Sequence, residues 1–341
     1  MKKHFSVYLI LLLGGIVSVV SCTTTERVPS GTISLDQAIQ NAVQDIELGI
    51  REQVYIIGND GVDSVYWVNG IRNVLQAVNE NEYGGSVSEV SGISISGTNI
   101  YIAGRDVDRV YWLNGRRNVI ENNIGDTPSG SLAVSGTDVY ILGTVTIAGW
   151  MANSPIYWLN GRRHELPKVG ASANANAITI SGSDVYIVGT DDRDAVYWLN
   201  GRRFVLPKLG NNAEALGISI SGTNIYIIGN DGRDAVYWLN GSRNVLQGIG
   251  RPEAIAISGS DVYIVGTHGR EAVYLLNGRR YLLPKISNNA SAKAIAISGS
   301  DVYIVGNDGN DPVYWLNGRR FVLSKTGDWR TEANGIAIIN Y

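Results

Sequence analysis

Cysteine is almost absent from this 341-residue chain. The one thiol, Cys22, has no partner to close a disulfide with, so a disulfide-stapled scaffold is excluded. Histidine is scarce as well, with only His164 and His268 beyond the N-terminal segment. No zinc spacing, phosphate-binding glycine loop or Ser/His/Asp set can be assembled from these residues. A basic excess is missing too. Lys and Arg number 28 against 31 Asp and Glu, where a nucleic-acid binder shows a basic stripe, so nucleic acid is excluded as a partner. The sequence therefore points to no catalytic residue, no cofactor and no metal.

Long apolar runs are confined to the N-terminus. Residues 1–21 read as a signal peptide, with Lys2 and Lys3 ahead of an apolar stretch over 5–20. Val19-Val20-Ser21-Cys22 resembles the lipobox of bacterial lipoproteins, in which the cysteine is lipidated and becomes the first residue. That resemblance implies lipidation at Cys22 and attachment to a membrane of the bacterial cell envelope. Thr23 is unlike the Asp that holds some lipoproteins in the inner membrane, so the outer membrane or cell surface is expected. Residues 22–33 contain Pro29 and Gly31 and read as a tether. Residues 34–50 predict an amphipathic helix, capped by Ser34 with Gln37 three residues on. Leu35, Ala38, Ile39, Ala42, Val43 and Ile46 share one face of it. Such a helix either packs on the domain that follows or docks a partner.

What the chain has in abundance is a repeat. Tyr-Trp followed by Asn-Gly recurs at Tyr66, Tyr111, Tyr157, Tyr197, Tyr237 and Tyr314, with Tyr274-Leu275 as the variant unit. Successive tyrosines lie 45, 46, 40, 40, 37 and 40 residues apart. A period near forty with several short apolar runs is the signature of a propeller blade. In the fourth unit the runs AITIS, DVYIVG, AVYWL and FVLPK are rich in β-branched and aromatic residues, as strands are. Asn-Gly between the last two is a strong hairpin signal, because both residues tolerate positive φ. Four strands in a meander, A to D in chain order, make one blade.

The ring is expected to close on itself. The first unit starts at residue 54 with strand B, and residues 335–339 match a strand A with nothing after it. Joining them leaves seven complete four-stranded antiparallel blades over 54–341 and no open seam. The sequence thus predicts an all-β, seven-bladed β-propeller preceded by a short helix.

The motifs DVYIVG, AVYWLNG and FVLPK resemble a group of bacterial envelope proteins with DVYVAG…YWKNG repeats, over residues 54–341. The likeness implies a propeller and little about activity. Kelch repeats share the strand order but carry a Gly-Gly pair, whereas single glycines such as Gly189 and Gly229 stand here. YWTD propellers follow Tyr-Trp with Thr-Asp.

Strand direction sorts the loops onto two faces. A–B and C–D turns share one face and are uniform; B–C loops and D–A connections share the other and vary, as binding loops do. Three departures stand out there: an enlarged third B–C loop over 144–155 with Trp150 and Met151, the first D–A connection with Tyr83, and the last with Trp329 and Arg330. A loop tryptophan either stacks on a sugar or aromatic partner or tucks into a neighbouring blade. The acids of the B–C loops, such as Asp191 and Asp194, read as turn formers paired with loop arginines such as Arg193 rather than as calcium ligands. The paired arginines after Asn-Gly, such as Arg202-Arg203, read as charge guarding the outer edge, or as a basic rim facing anionic lipid. Asp126, Asp328 and Glu332 are carboxylates outside the repeat. The expected function is a lipid-anchored binding or scaffold protein that engages a protein or glycan through the variable face. The alternatives are a glycan-active enzyme with an axial site (a glycosidase or lyase), and a purely structural surface-display protein.

Overall fold

The computed structural model describes residues 6–13, 16–23, 52–77, 88–121, 131–147, 152–327 and 330–340. Two compact units result, Met1–Ile50 and Arg51–Tyr341. In the first, Ser6–Leu13 and Ile16–Thr23 pair as an antiparallel hairpin that sets Cys22 opposite Val7. The expected helix over 34–50 lies outside the described residues.

The second unit is a seven-bladed propeller. Each of its seven sheets has four antiparallel strands. Blade 4 is representative: Ala173–Ser181, Asp184–Asp191, Asp194–Leu199 and Arg202–Val205 are strands A to D. The first blade is completed by the C-terminus, where Thr331–Asn340 pairs antiparallel with Glu52–Asp60. The seven A strands neighbour one another in a closed circuit around the axis.

Turn chemistry sets the meander. Asn200 and Gly201 take φ of 50° and 79°, the left-handed pair that a two-residue hairpin needs to match strand twist. Asn200 also clamps the blade. Its side-chain oxygen accepts from the Val185 amide at 2.9 Å, and its Nδ2 donates to Asp184 at 2.8 Å.

The apolar core lies between blades. One cluster joins Val188, Ala195 and Leu206 of blade 4 to Ala213, Ile227, Val236 and Trp238 of blade 5. Strand C buries Ala195, Val196 and Trp198 completely, so both faces of the sheet are covered. The strand-C indoles of blades 1, 2, 4, 5 and 7 also tie two blades together. The Trp198 N–H donates to the carbonyl of Pro167 at 2.8 Å and that of Trp238 to Pro207 at 2.8 Å. At the seam, Tyr303 of blade 7 donates to Glu52 at 2.5 Å. Burial and this carboxylate push its phenol above the ordinary value.

Strand A differs from expectation. It begins four residues earlier than the AITIS run, and the C-terminal strand is Thr331–Asn340, not 335–339. The register shifts between Ala175 and Ala177, leaving Asn176 unpaired in a β-bulge. The bulge breaks the period-two pattern by which strands are read. Gly189 lies within strand B opposite Ala175, where a Cβ would stand 1.9 Å from the Asn174 carbonyl oxygen.

Candidate functional site

The turn face is scaffolding in every blade. Asn69, Asn114, Asn160, Asn200, Asn240, Asn277 and Asn317 all take left-handed φ. Each accepts from the start of strand B at 2.9 Å.

On the other face, the acids of the B–C loops have a different partner from the one expected. Asp191 pairs with Arg203 on strand D at 2.6 Å, Asp231 with Arg243 at 2.6 Å and Asp308 with Arg320 at 2.7 Å. Asp60 and Arg72, and Asp106 and Arg117, do the same at 2.7 Å. In blades 1, 2, 4, 5 and 7 the arginine at the second position after Asn-Gly is therefore engaged within its blade and does not simply guard the edge. Arg202, Arg279 and Arg319 lie over the rings of Phe204, Tyr281 and Phe321.

The same carboxylates organise the connection from the preceding blade. Asp231 accepts the amides of Leu209 and Gly210, each at 2.7 Å, and Asp191 accepts those of Val169 and Gly170 at 2.9 Å. Burial raises the Asp231 carboxyl, but those amides and the Arg243 guanidinium outweigh it and hold it below the ordinary value. Asp308 and Asp60 are lowered likewise against burial, by hydroxyls, amides and an arginine. The pinned backbone turns the next side chains outward. Val169, Leu209 and Ile286 are 83%, 84% and 84% exposed on this face. Sequence reasoning passed over them because each continues an apolar strand-D run.

The axial mouth opens on the same face. A cavity of about 310 Å³ is bounded by the bulge residues Ser91, Asn176, Leu216 and Glu253, with Ile178, Ile218 and Ile255 further along the channel. A second, of about 330 Å³, lies between blades 1 and 2 and shares Ser91 with the first. Glu89, Glu332, Asn334 and Arg330 line it. Around the mouth runs a set of ion pairs that the sequence did not bring to notice. Arg251 reaches Glu214 at 3.2 Å and Glu253 at 3.0 Å, and Arg330 reaches Glu332 at 2.9 Å.

Of the residues singled out in sequence, Arg330 stands on this face beside the second cavity, its side chain 76% exposed. Trp150, Met151, Tyr83 and Trp329 lie outside the described residues, as do Asp126 and Asp328. The enlarged third B–C loop is a hairpin extension rather than an open loop. Asp138–Ile147 and Ala152–Leu159 stay in register to Ile147 and Ala152. His164 stacks on Tyr157 with ring centroids 4.9 Å apart, a packing role.

No family model matches the chain, and no curated protein does. Solved structures similar to it include a chain of the nidogen/laminin complex, at 12% identity and TM-score 0.46 over 84% of this chain and 98% of that one. The computationally designed protein Ika8 shows 14% identity and TM-score 0.47, over 84% and 90%. AztD from Citrobacter koseri shows 10% identity and TM-score 0.46, over 84% and 97%. The likeness is one of fold.

Proposed function

We propose that this chain is a binding or scaffold module, anchored by lipid on Cys22 in the bacterial cell envelope. It engages a protein or a glycan through the face that carries the B–C loops and D–A connections. One observation carries the reading. The turn face repeats the same asparagine clamp in all seven blades, whereas both cavities, the outward Val169, Leu209 and Ile286, and the departures from the repeat share the other face. A rigid ring with variable elements on one side is suited to recognition. Glycosidase chemistry calls for two carboxylates facing each other across a cleft. Glu214 and Glu253 are instead both held by Arg251, an arrangement suited to hydrogen bonding.

The test is capture by the full chain of envelope proteins and arrayed glycans, with Trp150→Ala, Trp329→Ala and Leu209→Ser run in parallel. The reading predicts a ligand whose retention falls in at least one variant. Capture that survives all three, and is lost on replacing the turn-face arginines Arg116 and Arg202, would overturn it.

A further inference from the structure

We infer that the axial mouth is the seat of a neutral, hydroxyl-rich ligand: the end of an uncharged glycan. This rests on the variable face being the binding surface. The bulge in strand A releases one residue per blade from the ladder. In the six blades where that position is described it holds Ser91, Asn176, Leu216, Glu253, Lys293 and Asn334, five residue types. In these six blades the residue after it is Gly or Ala: Gly92, Ala177, Gly217, Ala254, Ala294 and Gly335. Variation is thus concentrated where the ladder makes no demand and where the side chain meets the cavity.

The chemistry of the ring selects the ligand. Asn230, Glu214, Arg251, Glu253 and Lys293 form a continuous polar chain across blades 5, 6 and 7. Asn230 donates to Glu214 at 3.0 Å, Arg251 bridges the two carboxylates, and Lys293 approaches Glu253 at 3.7 Å. Two cations face two anions, so the ring selects neither an anion nor a cation. A charged peptide end would need an uncompensated partner, and each cation here already faces a carboxylate. Hydrogen-bonding capacity remains, however. A carboxylate has about four acceptor sites and a guanidinium about five donors, more than these contacts occupy. The Lys293 ammonium stands beyond hydrogen-bond reach of Glu253 and is 39% exposed. Donors and acceptors side by side fit the neighbouring hydroxyls of a sugar ring, which both donate and accept. Ser91 and Asn176 also line the mouth. The Ser91 hydroxyl donates to the Ala103 carbonyl at 3.1 Å and the Asn176 amide to that of Ala215 at 2.8 Å, which leaves their oxygens as neutral acceptors. Ile178, Ile218 and Ile255 offer an apolar wall to the C–H face of the ring. The volume of about 310 Å³ suits the end of a chain rather than its length.

The full chain in detergent micelles is to be titrated with neutral oligosaccharides, acidic oligosaccharides and charged peptides. Glu253→Leu, Asn176→Leu and the turn-face variant Arg116→Ala are compared with the unaltered chain, and thermal unfolding identifies any variant that does not fold. Selective binding of a neutral glycan is expected. Its Kd should rise about tenfold in both Glu253→Leu and Asn176→Leu, which stand on blades 6 and 4, and stay within about twofold in the turn-face variant Arg116→Ala. Neutral-glycan binding indifferent to both mouth variants overturns the inference, as does preference for acidic glycans or peptides. A protein captured through the variable face with no glycan bound overturns the inference and leaves the binding face standing. Capture of neither overturns both.

Discussion

The carbonyl oxygen of Asn174 lies 1.9 Å from where a Cβ on Gly189 would stand. Strand B can approach the bulged strand A only because that Cβ is missing. The same contact recurs at Gly58, Gly104, Gly229, Gly266 and Gly306, at 1.7 to 2.1 Å. One glycine in each of these six blades thus accommodates the bulge in strand A.

Gly189→Ala is accordingly expected to lower stability by about 3 kcal/mol, since the obstacle is backbone and cannot rotate away. Gly201→Ala, strained only by its positive φ, is expected to cost about 1 to 2 kcal/mol. Urea denaturation of both variants measures the difference. Equal midpoints would contradict the close-packed bulge.

Trp198→Phe retains most of the buried ring but removes the donor to Pro167. A carbonyl left unpaired at a blade junction costs about 1 to 3 kcal/mol. Blade 6 carries Leu275 at this position, 1% exposed, so an apolar side chain packs there and the loss reports the hydrogen bond. Thermal unfolding of Trp198→Phe checks this.

Acid should unfold the ring through its buried aspartates. Folding lowers the carboxyls of Asp60, Asp231 and Asp308, so below the ordinary value of 3.8 the unfolded chain binds more protons than the folded one. The stabilisation is complete above that value and is lost as pH falls through the folded one. Stability is expected to be flat from about pH 5 to 8 and to drop below about pH 4. Asp231→Asn should lower stability at neutral pH and reduce the acid slope. Denaturation midpoints across this range decide it.

Ring closure is the most readily broken element. Deleting residues 331–341 removes the strand that pairs with Glu52–Asp60 and exposes the apolar groups of blade 1, including Ile56 and Trp67. The truncated chain is expected to aggregate or to lose its cooperative transition, as scattering and calorimetry would report.

The fold was largely legible because its signals repeat. Tyr-Trp and Asn-Gly at a forty-residue spacing gave the blade, and the unmatched first and last strands gave the closure. What was missed is non-periodic or long-range. The Asn176 bulge interrupts the alternation by which strands are recognised. Arg72 and Asp60 lie 12 residues apart on different strands, so each suggested a surface charge. The axial ion pairs were harder still, because Arg251 and Glu253, two residues apart on one strand, meet Glu214 and Lys293 only when blades 5, 6 and 7 are set side by side.

The central claim is that the face bearing the bulges and D–A connections is the recognition surface. Hydroxyl-radical footprinting of the full chain, with and without its captured ligand, tests it most directly. The account predicts protection at Leu209, Ile286 and Arg330 and at the start of strand A in blades 5 and 6. Protection confined to the Asn-Gly turns and the strand-D edges would contradict it.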